Sequence, residues 1–238
     1  MKIRILFLSF VFSVLLACNN KENSQTTGNE LALESVSKTN DKSLSTSNTT
    51  GDYKYIFEQL DNSKGLSNSS VNAIFQDSEN LLWIGTWDGL NRYDGNNFKI
   101  FRPELDNENS LSNQVILKID EDKTGKIWLL TIHGINQYDK KTDTFKRFYF
   151  TRKNKPPLSE SEFNMALDSH KNVFCAVKDW GIGYFDGKDF QLIQVKNFSK
   201  KAVKKMEFTS NGELLVLFET NELFALTIEN SKKGSKKI

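Results

Sequence analysis

A motif recurs along this chain about every 45 residues, and that period narrows the fold more sharply than any other feature. The run "LLWIGTWDGLNRYDGNNF" at 81–98 has a counterpart in "KIWLLTIHGINQYDKKTDTF" at 126–145. Trp83 aligns with Trp128, Gly89 with Gly134, Tyr93 with Tyr138 and Asp94 with Asp139. A third copy, "NVFCAVKDWGIGYFDGKDF" at 172–190, puts Phe174 in the tryptophan's place. Its Gly181, Phe185 and Asp186 match after a one-residue insertion. A weaker fourth copy, "ELLVLFETNELFALTI" at 213–228, has Leu215 there. Upstream, "GLSNSSVNAIFQDSEN" at 65–80 matches "SLSNQVILKIDEDKTG" at 110–125.

Each unit reads as four short strands parted by turn residues. In the first unit they are Val71 to Gln76, Leu81 to Trp87, Leu90 to Tyr93 and Phe98 to Arg102, here called a, b, c and d. Asp88-Gly89 predicts a type I′ hairpin turn, with positive φ at both central positions. Strand b is apolar at successive positions, as a strand covered on both faces must be. Four antiparallel strands in a unit of this length make one blade of a β-propeller. Neighbouring blades bury each other's faces, so Trp83, Trp128 and Phe174 are expected to be matching plugs between blades. Gly85 is expected to let the next blade approach closely. The expected fold is all-β, with about four blades in residues 52–229. They fall near 66–102, 111–150, 160–195 and 203–229, the last lacking strand d. Residues 53–57 resemble a strand d that precedes the first blade. An incomplete arc is favoured over a closed ring, because four blades must each turn further than the blades of larger rings.

The residues also resemble a known family. "GLSNSSVNAIFQDSENLLWIGTWDGLNRYDG" is similar to the two-component regulator propeller repeat almost throughout, and the second and third copies keep its aromatic, glycine and aspartate positions. The resemblance implies a sensor module outside the cytoplasmic membrane, of a kind found mostly in Bacteroidetes. Family members usually carry an immunoglobulin-like domain, a membrane span and a histidine kinase after the propeller, and many regulate glycan use. None of those parts is recognisable here, so any signalling is expected to need a partner.

The N-terminus is of different material. Lys2 and Arg4 precede an apolar run of 13 residues, Ile5 to Ala17, shorter than the roughly 20 residues of a membrane helix. The run ends in "LLAC", which resembles the lipobox of bacterial lipoproteins. That resemblance implies removal of residues 1–17 and lipid on Cys18, hence a tether to the cell envelope, at the outer membrane, its periplasmic face or the cell surface. Residues 18–51 have the polar composition of a flexible linker, and 230–238 that of a basic tail. Cys175 lies in an apolar strand-like run and is expected to be a packed core thiol.

Net charge is +2, which gives no bias toward nucleic acid. His133 and His170 fall at opposite ends of a blade, which argues against a shared metal site. Asp94, Asp139 and Asp186 occupy a turn, where side-chain bonds to the backbone are their expected role. With no phosphate loop and no nucleophile motif, no enzyme activity and no cofactor are expected. The candidate ligand-binding residues are those gathered at the b–c turns: Trp87, Asp88, His133, Asp179, Trp180 and Asn221. Their aromatic rings can stack on sugars, or alternatively pack on neighbouring blades. The expected role is a non-catalytic binding module for a glycan or a membrane sensor protein. The alternative is a truncated or vestigial propeller fragment with a structural role only.

Overall fold

The computed structural model of the chain describes residues 57–150, 158, 162–193, 195, 198 and 201–228. The expected signal peptide, Cys18, the linker, Tyr53 to Ile56 of the strand-d-like segment and the basic tail lie outside the described residues. Phe57, the last residue of that segment, belongs to no strand. The chain divides into two compact units, and the stretch from Leu60 carries all fifteen strands of the described residues.

The first sheet contains β1 (Val71–Gln76), β2 (Leu82–Thr86), β3 (Gly89–Tyr93) and β4 (Phe98–Phe101), antiparallel and in chain order. The second repeats it with β5 (Ile116–Glu121), β6 (Ile127–Thr131), β7 (Gly134–Asp139) and β8 (Thr144–Phe148). In the third are β9 (Phe163–Leu167), β10 (Val173–Val177), β11 (Gly181–Phe185) and β12 (Phe190–Ile193). The fourth has three strands, β13 (Val203–Phe208), β14 (Glu213–Phe218) and β15 (Leu223–Thr227). Strand register repeats as well: Trp83 pairs with Phe75, Trp128 with Asp120, Phe174 with Ala166 and Leu215 with Glu207.

The turn between the first two strands is built alike in every blade. Its fourth residue is left-handed in all four: Asn80, Gly125, Lys171 and Gly212. The N–H of that residue bonds back to the C=O of Asp77, Asp122, Asp168 or Thr209. The aspartates also use their side chains. Asp77 accepts from the N–H groups of Glu79 and Leu81 and from the Trp83 indole; Asp122 accepts from Thr124, Lys126 and the Trp128 indole. Asp94, Asp139 and Asp186 each accept backbone N–H groups at the turn before the fourth strand, as their position predicts.

Three apolar clusters join the blades in succession. Trp83, Leu90 and Phe101 of the first blade pack with Ile116, Ile119, Leu129 and Tyr138 of the second. Trp128, Leu130 and Phe148 of the second pack with Phe163, Met165 and Cys175 of the third. Phe174, Ala176 and Ile182 of the third pack with Met206, Leu214 and Val216 of the fourth. Trp83 and Trp128 are wholly buried, and burying a side chain of this size contributes roughly 2–3 kcal/mol. Gly85 serves the first interface by its lack of a side chain, since a Cβ there would lie 2.7 Å from Ile116 Cγ2. Among the described residues no cluster joins the fourth sheet to the first, so the blades form an arc.

Buried charge adds to these contacts. Lys140 of the second blade lies 3.2 Å from Asp77 and 3.0 Å from Glu79 of the first, and 3.1 Å from Glu121. Glu121 also accepts from Ser78 of the first blade and from Lys171 of the third. One carboxylate thereby ties three successive blades.

Candidate functional site

The turn between the second and third strands differs from the predicted type I′ form. Gly89 has φ +116°, but Asp88 is not left-handed. Thr86 faces Gly89 across the hairpin, so Trp87 and Asp88 are its two linking residues. Thr86 provides the reason: its hydroxyl accepts from the Asp88 N–H at 3.0 Å and donates to the Gly89 C=O at 3.0 Å. Thr131 makes the same pair of bonds with His133 and Gly134. The same hydroxyls reach a buried polar set. Ser67 bonds Thr86 and Asn91, and Ser112 bonds Thr131 and Asn136.

The six candidate residues fall in equivalent turns but in different surroundings. Trp87 is 56% exposed, and its indole N–H donates to Asn72 Oδ1 at 3.1 Å. Asp88 is paired with Arg102 at 2.8 Å, and that hydrogen-bonded guanidinium holds its carboxyl below the usual range. His133 is exposed beside Asn113, 3.2 Å away. Asp179 and Asn221 are exposed, left-handed turn residues.

Trp180 turns inward instead. In the third blade Val177 replaces the threonine and Gly183 replaces the asparagine of the buried polar set. A Cβ on Gly183 would lie 2.6 Å from the Trp180 ring, which therefore fills the place of the missing side chain. The ring also packs 5.9 Å from Phe150. Trp180 is thus a structural part of its blade.

Of the two long loops, Pro103 to Ser110 is pinned to the second blade. Arg147 donates to the carbonyls of Ser110 and Asn107 at 2.7 and 2.6 Å. Thr151 to Ser161 lies outside the described residues apart from Leu158.

Sequence reading alone missed a cavity at the centre of the arc. It has a volume of about 650 Å³ and is lined from all four blades, by Asn72, Ile74, Lys118, Asn164, Lys205 and Glu207 among others. Each first strand ties to the next here through a side chain bonded to a backbone carbonyl. Asn72 reaches Ile116, Lys118 reaches Met165, and Asn164 reaches Lys204. Lys118 also spans to Glu207 of the fourth blade at 3.4 Å. Trp87 does not line this cavity but bonds Asn72, which does, and Glu219, two residues before Asn221, lines it as well.

The cavity combines amide, ammonium and carboxylate groups with apolar walls, a set suited to holding a hydroxylated ligand. Among the described residues no group of three or more His, Cys, Asp or Glu side chains could hold a metal ion. No helix among them is long and apolar enough to cross a membrane.

Four-blade arc, repeated register and central cavity define a β-propeller. The family model described as two component regulator propeller matches residues 65–88, within the first blade. Over 48 residues the chain is 50% identical to histidine kinase P4 of Formosa agariphila, a match spanning 20% of this chain and 4% of the kinase. Two solved structures share the fold, both extracellular domains assigned to hybrid two component systems of B. thetaiotaomicron. That of BT3049 is 23% identical, with a TM-score of 0.57 over 71% of this chain and 25% of its own. That of BT4673 is 22% identical, with a TM-score of 0.50 over 68% and 26%. The chain therefore spans about a quarter of these solved chains.

Proposed function

We propose that this protein is a non-catalytic sensing module, held at the cell envelope by lipid on Cys18, that binds a glycan fragment at the mouth of its central cavity. The observation that carries this reading is the placement of Trp87. Its exposed indole N–H donates to Asn72 Oδ1, and Asn72 itself lines the cavity. An exposed aromatic ring bonded to an amide of the cavity wall would provide stacking, and the amide and charged groups of the wall would provide hydroxyl hydrogen bonds. The family repeat in the first blade supports a role in signal reception. A protein partner would then carry the signal onward.

Titration with a panel of neutral and acidic oligosaccharides, followed by tryptophan fluorescence and thermal melting, tests the reading. A ligand at a hundredfold excess over its Kd stabilises the fold by about 2.7 kcal/mol. The Trp87→Ala variant should melt like the parent and lose the fluorescence response. A folded protein that responds to no member of the panel would favour a purely structural propeller fragment. The anchor is tested separately: Cys18→Ser should move the chain from the membrane fraction to the soluble one.

A further inference from the structure

Among the described residues, the first and fourth blades expose the two halves of one repeating interface. Every internal interface joins the trailing face of one blade, which bears the tryptophan position, to the leading face of the next. In the second blade the leading face consists of Ile119, Ile127, Leu129, Tyr138 and Phe145, all buried against the first blade. The same register positions in the first blade are Ile74, Leu82, Ile84, Tyr93 and Phe98. Ile84 in the sheet centre is shielded, and Leu82, Tyr93 and Phe98 are half-buried. Ile74 is 67% exposed, where its counterpart Ile119 is 6%. Ile100 on the same face is exposed as well.

The trailing face of the last blade mirrors this. Leu215, Leu217 and Leu223 stand where the second blade has the buried Trp128, Leu130 and Ile135. Leu215 and Leu217 are half-buried, and Leu223 is 58% exposed against 0% for Ile135. The charges on this face do not bar a partner. Lys205 and Glu207 occupy the positions of Lys118 and Asp120, whose face the third blade covers.

We propose that a second copy of this chain covers these faces head to tail, the trailing face of its fourth blade packing on the leading face of the first. The three internal interfaces show what chemistry covers a leading face, and this chain itself exposes that chemistry at its other end. Two copies joined at both ends close an eight-bladed ring, within the range that propellers take, and leave no open face. The proposal does not depend on any ligand.

Sedimentation of the full chain over about 1 to 100 µM, in a density-matched detergent, tests it. The expected species is a dimer. Ile100→Glu blocks the leading face and Leu223→Glu the trailing face, so each variant alone should dissociate at least about tenfold more readily. An equimolar mixture of the two retains one intact interface and should form a heterodimer. Ile74→Lys and Leu217→Lys replace the pair if circular dichroism shows either variant misfolded. A wild-type monomer throughout the range overturns the proposal. So does a Leu223→Glu dimer as tight as wild type, which would mean that leading faces pair with each other. Folded variants that fail to associate when mixed overturn it as well.

Discussion

The indole N–H of Trp83 donates to the Asp77 carboxylate at 2.8 Å, so the plug between two blades is bonded to the turn that begins its own strand. Trp128 and Asp122 repeat the bond at 2.7 Å. In the third blade Phe174 has no donor, and Asp168 instead accepts from the side chain of Asn172 at 2.8 Å. Asn172 stands at the position of Leu81. Trp83→Phe should therefore cost about 1–3 kcal/mol by stranding an acceptor and loosening the plug. Adding Leu81→Asn should return part of that loss in a double-mutant cycle of urea midpoints. Strict additivity of the two substitutions would count against a shared role.

Acid should weaken the fold through the ionic cluster at Lys140. Burial alone would raise the Asp77 carboxyl, but hydrogen bonds from Trp83, the Leu81 N–H and Lys140 outweigh it and hold it low. Burial likewise opposes Glu121, while Ser78, Lys140 and Lys171 pull it down. Burial opposes the Lys140 ammonium too, and Glu79, Glu121 and Asp77 together raise it. Depressed carboxyls contribute stability above their unfolded values, about 3.9 and 4.3, and lose it as pH falls through the folded ones. A raised lysine contributes below about 10.4 and loses its share only as pH climbs through its folded value. Melting temperature should be flat from about pH 5 to 9 and fall below about pH 4. Lys140→Met should lower the plateau and make the acid limb shallower; parallel limbs would refute the assignment.

The two less buried tryptophans should separate cleanly in stability. Trp180→Ala empties the space over Gly183 and should cost about 3 kcal/mol by chemical denaturation. Trp87→Ala removes an exposed ring with one surface hydrogen bond and should cost less than about 1 kcal/mol. Equal losses would mean that Trp87 is also structural.

Cys175 should be chemically silent in the folded protein. It is buried and free, and burial pushes its thiol far above the usual range. Mass mapping after iodoacetamide treatment should find the Cys175 peptide unmodified in native conditions and fully labelled in denaturant. Rapid native labelling would show that the second and third blades part readily.

Much of the fold was legible because a propeller writes its architecture locally. The b–c hairpin lay within one repeat, and β1 spans the very residues assigned to the first strand of the repeat, Val71–Gln76. The turn form was missed because Thr86 acts through its hydroxyl, which hydrophobic patterning does not register. Glu121 and the central cavity were missed for another reason. Their partners lie in other repeats, at separations such as 43 residues to Ser78 and 89 from Lys118 to Glu207. Such contacts depend on how blades are set against each other, which one repeat does not encode. Trp180 was open between stacking on a ligand and packing on the protein, and the space left by the missing side chain at Gly183 explains why its ring packs.

The three interblade clusters share no residue, and each draws only on adjacent blades. Stability in such an arrangement accumulates unit by unit along the chain. Evolution can therefore change the number of blades in single steps, since duplicating or deleting an end unit disturbs one seam and leaves the others intact. The same modularity makes the termini the natural place for unzipping to begin.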